Sequence, residues 1–276
     1  MEYTSSVKVH RINVDGAEIQ VFDWPAAKAS APSLLLVHGY RANAHWWDAI
    51  VEALRGKFRI ILPEFSGMGG SDCRESYQPN QGAIDVAGVI QGLDLQLDWV
   101  IAHSWGGHQM AKVVRMMPER FARLIMVDSF FMVNVDEEIP AGAAIGNTRE
   151  YDDKEDAIAR FRTSPRQPIP EHIRRDLADK SLCRRGDAWV WSYDPGLPVL
   201  TPEPDDEALL KKLPVISHYL LAGQSPVVGP ARAERIAALA KCETYQIIPD
   251  GHHHLMLDSP AQMLGVLHDL NGFMPE

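Results

Sequence analysis

The residues best placed to do chemistry are Ser104, Asp128 and one of three consecutive histidines, His252, His253 and His254. Ser104 sits in Ala102-His103-Ser104-Trp105-Gly106-Gly107. The apolar run Trp99-Val100-Ile101 precedes it, and a helical pattern follows with Met110, Val113, Val114 and Met117 on one face. Strand, sharp turn and helix with serine at the apex is the layout of a nucleophile elbow. Ala102 replaces the first glycine of the usual G-x-S-x-G. A serine hydroxyl is a weak nucleophile near neutral pH. It needs a base within reach and donors for the oxyanion that its attack creates.

The base is expected in Pro249-Asp250-Gly251-His252-His253-His254-Leu255, which follows the last apolar run and precedes a helix opened by Asp258-Ser259-Pro260. Three adjacent histidines also raise the idea of a metal. Side chains on consecutive extended residues diverge, and no further ligand has facial spacing, so neither metal nor cofactor is expected. The oxyanion donors are the backbone N–H of Trp105, just after the serine, and that of Tyr40, after the strand ending at His38-Gly39. The usual loop for the acid, Gly223-Gln224-Ser225-Pro226-Val227-Val228-Gly229, carries no carboxylate. Asp128, at the end of Leu124-Ile125-Met126-Val127, takes that place. A carboxylate at the C-terminal end of a parallel strand faces the ligand side of the sheet and can hold an imidazole in its working tautomer.

His38 and His103 flank the expected oxyanion region. Each either meets substrate or is a satisfied buried histidine, and His108 is weighed the same way. Trp46, Trp47 and Trp105 form an aromatic set around the mouth of the site, where they either line an apolar substrate pocket or are core. The segment Ser66-Gly67-Met68-Gly69-Gly70-Ser71-Asp72 lacks the Walker lysine and reads as a tight loop beside the site rather than a phosphate cradle.

These groups need a scaffold. Val7 to Val14 and Ala17 to Trp24 alternate about Asp15-Gly16, which predicts an antiparallel hairpin. Continuous apolar runs at 34–37, 58–62, 99–102, 124–127, 219–222 and 245–248 are separated by helical patterns at 44–54, 84–93, 105–117 and 261–270. Together they predict a mostly parallel α/β sheet buried on both faces. Residues 131–212 break the alternation with charge and proline. A structureless loop that long is improbable, so the expectation is a helical cap inserted into a core of residues 1–130 and 213–276. Trp189 and Trp191 in the cap would select the substrate.

The chain has 276 residues and a net charge of −10, which argues against nucleic acid or an anionic membrane as partner. Its three scattered cysteines show neither metal nor redox spacing. A small-molecule substrate is the expected partner, with a homodimer allowed. No secretion signal or membrane span is legible, so a cytoplasmic location is the expectation.

Taken in order, His38-Gly39 with Trp47, the Ser66 to Asp72 loop, the Ser104 elbow, Asp128, and Gly251-His252-His253-His254 before Asp258-Ser259-Pro260 resemble the α/β-hydrolase superfamily over nearly the whole chain. In that family the catalytic histidine precedes the proline of the next helix by about seven positions, which selects His253. Two subgroups with the acid after the sixth strand are similar. One comprises serine hydrolases, including (acetamidomethylene)succinate hydrolase. The other comprises cofactor-free 2,4-dioxygenases of 3-hydroxy-4-quinolones, in which a His/Asp dyad deprotonates the substrate for direct reaction with O2. Those enzymes also keep a His-Ser pair at the elbow. They carry a further histidine after the oxyanion-loop glycine, where this chain has Tyr40-Arg41-Ala42. The resemblance therefore implies a serine hydrolase acting on an ester or related acyl bond, with the dioxygenase as the alternative. A silent ligand-binding receptor on the same fold is a third reading, disfavoured by the complete Ser/His/Asp set.

Overall fold

The computed structural model describes residues 7–138, 149–201 and 203–275. β1 (Lys8–Val14) and β2 (Ala17–Trp24) form the expected hairpin. Asp15 and Gly16 both adopt positive φ, +47° and +84°, which matches the right-handed twist of the paired strands. The parallel part comprises β3 (Ser33–Val37), β4 (Arg59–Pro63), β5 (Leu97–His103), β6 (Phe121–Val127), β9 (Ile216–Ala222) and β10 (Thr244–Ile248). The eight strands lie in the order β1-β2-β4-β3-β5-β6-β9-β10. β2 runs antiparallel to β4, and every pair from β4 to β10 is parallel.

The alternation along each strand divides the core between two faces. Leu35, Val37, Val100, Ala102, Leu124 and Met126 point to one face. There they meet α2 (Gln81–Gly92), α3 (Trp105–Met116) and α7 (Pro230–Leu239). Leu34, Leu36, Trp99, Ile101, Ile125 and Val127 point to the other. That face is covered by α1 (Asp48–Leu54), α8 (Leu255–Asp258) and α9 (Pro260–Asp269). Burial on both faces is why the sequence shows continuous apolar runs.

Between β6 and β9 the chain forms α4 (Lys154–Arg160), α5 (Glu171–Lys180), a hairpin of β7 (Leu182–Arg185) and β8 (Ala188–Trp191), and α6 (Asp206–Leu210). The insertion is therefore mixed rather than purely helical. β7, Leu182-Cys183-Arg184-Arg185, is mostly exposed and carries no pattern, and β8, Ala188-Trp189-Val190-Trp191, is an apolar run only four residues long set among charge and proline. Gly186, at φ +61°, makes the turn between them. The hairpin is stitched to the glycine-rich loop of the core. Met68 bridges Tyr193, Gly69 N–H donates to Ser192 O at 2.7 Å, and Asp194 N–H donates to Gly67 O at 2.7 Å. The Tyr77 hydroxyl adds a 2.6 Å bond to the Asp194 carboxylate. Among the described residues no helix is long and apolar enough to cross a membrane.

Candidate active site

β3, β5 and β6 end on one rim of the sheet, and the loop after β10 returns to the same rim. This is the ligand side of an open α/β sheet. Ser104 is the link between β5 and α3, at φ +54° and ψ −126°. A non-glycine residue in that region is strained, and strain of this kind is held in place by its surroundings. Two glycines allow the turn. A Cβ on Gly106 would come within 2.3 Å of His38 O, and one on Gly107 within 1.9 Å of Ser129 Oγ. The helix can leave the serine at this angle only because both residues lack a side chain.

Asp128 follows β6, is wholly buried, and also has positive φ, +45°. Its Oδ2 lies 2.6 Å from His253 Nδ1 and accepts the Ser225 hydroxyl at 2.5 Å. Its Oδ1 accepts Ala222 N–H at 3.1 Å. Ser225 thus stands in the loop where an acid was sought, as a donor to the acid that replaces it. The sequence reading missed this serine; its signal was a hydroxyl in a loop that otherwise lacked an acid.

His253 is buried, and its ring turns one nitrogen to Asp128 while lining the same cavity as Ser104. Among the described residues no hydrogen bond joins Ser104 Oγ to His253; such bonds commonly tighten only with substrate in place. His252 turns away and pairs with Asp258 at 2.7 Å, half-exposed. His254 packs its ring on Trp46 at 4.8 Å. Gln167, another residue the sequence reading missed, clamps the His254 backbone. Its Oε1 accepts His254 N–H at 2.9 Å and its Nε2 donates to His254 O at 3.2 Å.

The expected divergence of the histidines is corrected. The His253 and His254 rings are 4.7 Å apart, and both pack on His103, because the chain curls into α8 instead of running extended. Ligand atoms of these three lie within 4.8 Å of one another. His103 Nε2 donates to the His253 carbonyl at 2.9 Å, and His253 Nδ1 is held by Asp128. A second group, His108, Glu203 and Asp206, also has ligand spacing. There the Lys112 ammonium already sits 2.6 Å from Glu203, and His108 is bonded to Asp206 at 2.8 Å.

A cavity of about 1120 Å³ joins these parts. Its wall includes Tyr40, Trp46, His103, Ser104, Trp105, Trp191 and His253. Neither Tyr40 N–H nor Trp105 N–H has a backbone acceptor among the described residues. Three expected substrate contacts lie elsewhere. Trp47 is fully buried under the opposite face of the sheet with α1 and α8, because the 3-10 turn Ala44–Trp47 points it inward. Trp189 is on the outward side of β8, with Lys154 and Arg184 over its ring. His38 is beneath the loop: its Nδ1 donates to Gly39 O at 2.8 Å, and its Nε2 accepts Phe65 N–H at 3.3 Å. This imidazole braces the loop after β3 from beneath and does not line the cavity.

Burial pushes His38 down to about 4. Burial, reinforced by the neighbouring His253, holds His103 and His254 well below the ordinary histidine value. All three are neutral in the fold and regain an ordinary value on unfolding, near 6.5. The unfolded chain therefore binds protons first as pH falls. Stability present above pH 6.5 is lost between 6.5 and about 4, on the order of 3 kcal/mol for His38 alone. Thermal melts at pH 7.5, 5.5 and 4.5 should show a steep fall in Tm, and a flat Tm across that range would contradict neutral burial.

The family model described as "Alpha/beta hydrolase family" matches residues 34–266. The chain belongs to that family. Within it, the chain is 28% identical over 153 residues to a 1-acylglycerol-3-phosphate O-acyltransferase of Arabidopsis thaliana, covering 53% of this chain and 33% of that protein. It is 26% identical over 175 residues to an esterase of Mycobacterium tuberculosis, covering 60% of this chain and 57% of the esterase. The matched region thus spans only a third to just over half of these relatives' lengths. The crystal structure of E-2-(acetamidomethylene)succinate hydrolase superposes with a TM-score of 0.79 at 18% identity, covering 96% of this chain and 98% of that one. At that identity the likeness establishes the hydrolase fold.

Proposed function

We propose that this family member is a serine hydrolase that cleaves a carboxylic ester or related acyl bond through an acyl-enzyme. The observation that carries this is the buried 2.6 Å Asp128–His253 pair, opening on the cavity that holds the Ser104 elbow. Ser104 Oγ attacks the carbonyl carbon while His253 Nε2 takes its proton. The tetrahedral oxyanion is received by the N–H groups of Tyr40 and Trp105. Collapse expels the alcohol or amine, which leaves with the proton from His253. Water, deprotonated by the same imidazole, then attacks the acyl-enzyme and releases the acid. Asp128 fixes the tautomer that leaves Nε2 free to accept. Residues 131–212, of which 139–148 and 202 lie outside the described residues, act as the cap over a core of 1–130 and 213–276, whose residues 1–6 and 276 lie outside them too, with Trp191 as the cap's aromatic contact with substrate. The wide, partly polar cavity suits an acyl substrate better than the flat closed slot that a quinolone oxygenase would need.

A fluorophosphonate probe tests the assignment directly. Mass spectrometry should find one adduct, on Ser104, and none in Ser104→Ala. An unlabelled protein, or an adduct elsewhere, would remove the serine from its role.

A further inference from the structure

Among the described residues, Arg41 is a cation without an answering charge inside the candidate site. It lines the cavity, and its Nε and Nη2 are buried with no hydrogen-bond partner among the described residues. Its guanidinium carbon lies 5.5 Å from the centre of the Tyr40 ring and 5.0 Å from that of Tyr193. Aromatic rings of this kind hold a guanidinium in place, and Nε and Nη2 keep N–H groups to offer a ligand. Buried donors left unpartnered are costly, and an acceptor on a ligand relieves the cost.

The carboxylates in the same wall are already matched. Asp85 is paired with Arg74 at 2.9 Å, Glu203 with Lys112 at 2.6 Å, and Asp206 with His108 at 2.8 Å. Arg41 therefore has no acidic wall residue left to neutralise it. Its backbone is at φ +56°, an unfavourable conformation for a side chain of this size. It directly follows Tyr40, whose ring packs 5.4 Å from that of Trp105, the residue after the nucleophile. The cation thus lines the same cavity as Ser104, and the Tyr40 ring it packs on also packs on Trp105.

We propose that Arg41 binds an anionic substituent, a carboxylate or a phosphate, on the small molecule cleaved at Ser104. A planar guanidinium fork matches either oxyanion through two parallel N–H···O bonds. The chain carries a net charge of −10, so recognition of an anion must come from a local group of this kind. The inference rests on the serine hydrolase reading and names its substrate class.

The test compares the 4-nitrophenyl hemiester of adipic acid with neutral 4-nitrophenyl hexanoate. The wild type should prefer the hemiester in kcat/KM by about tenfold or more. Arg41→Gln should cut that ratio roughly 10- to 100-fold, mostly through KM, and Arg41→Lys should restore part of it. Calorimetry with adipate alone reads the same group without chemistry: wild type should bind, and the glutamine variant should bind at least tenfold more weakly. Competition by adipate against inorganic phosphate separates the two anions, the tighter inhibitor naming the substituent. Equal turnover of both esters by the wild type, or a folded Arg41→Gln variant with an unchanged ratio and unchanged adipate binding, overturns the proposal. Hexanoate turnover that survives Ser104→Ala would instead overturn the hydrolase reading beneath it.

Discussion

Ser104→Ala should lower kcat/KM for an activated neutral ester such as 4-nitrophenyl acetate by roughly 10^5-fold. The loss is this large because nucleophile, base and acid act as one unit, and the remaining oxyanion donors and binding contacts supply only a residual rate. The variant should fold. Ser104 is partly exposed to the cavity, and its neighbours Gly106 and Gly107, which set the turn, are untouched. A Tm within a few degrees of wild type should therefore accompany the lost turnover. Retained turnover in a well-folded variant would remove Ser104 from the mechanism. If O2 consumption with a 3-hydroxy-4-quinolone then survived in Ser104→Ala and vanished in His253→Ala, the imidazole would be acting as a base for oxygenation.

Asp128→Asn should be nearly as damaging, lowering kcat by roughly 10^3- to 10^4-fold with little change in KM. The replacement keeps shape and removes charge. Oδ2 currently takes a proton donor from each of two sides, His253 Nδ1 and the Ser225 hydroxyl, while Oδ1 takes Ala222 N–H. An amide nitrogen at the Oδ2 position would face two donors with a donor of its own. The imidazole would then turn its acceptor nitrogen inward and present N–H to the serine, which cannot take a proton. Steady-state kinetics beside a melting curve check this. A kcat within tenfold of wild type, in a folded protein, would show that Asp128 does not set the tautomer.

The parts legible in the sequence were those whose signal is periodic. Buried strands leave apolar runs, and Asp15-Gly16 between two alternating segments leaves a hairpin. Ser104 was legible because its surroundings, strand before and glycines after, are local. Asp128 was legible because its loop counterpart lacked a carboxylate. What escaped depends on contacts between distant segments. Ser225 reaches Asp128 across 97 positions, and Gln167 reaches His254 across 87. Residue type alone points Trp47 and Trp189 to the pocket, and neither lines it. Which side of a sheet or hairpin a tryptophan occupies follows from the local turn: one ends under α8 and the other beneath Lys154. The β7–β8 hairpin is hard to read because β7 is mostly exposed and β8 is an apolar run of only four residues.

The backbone bonds between residues 192–194 and the loop at 67–69 bear on how this protein can be re-engineered. A chimera that exchanged only the segment between β6 and β9 would sever the Gly69–Ser192 and Gly67–Asp194 pairings and strand four peptide groups at the seam. Transplanting the glycine-rich loop along with it would preserve the joint. The sensible unit of recombination is therefore discontinuous in sequence, two patches of chain that behave as a single graft.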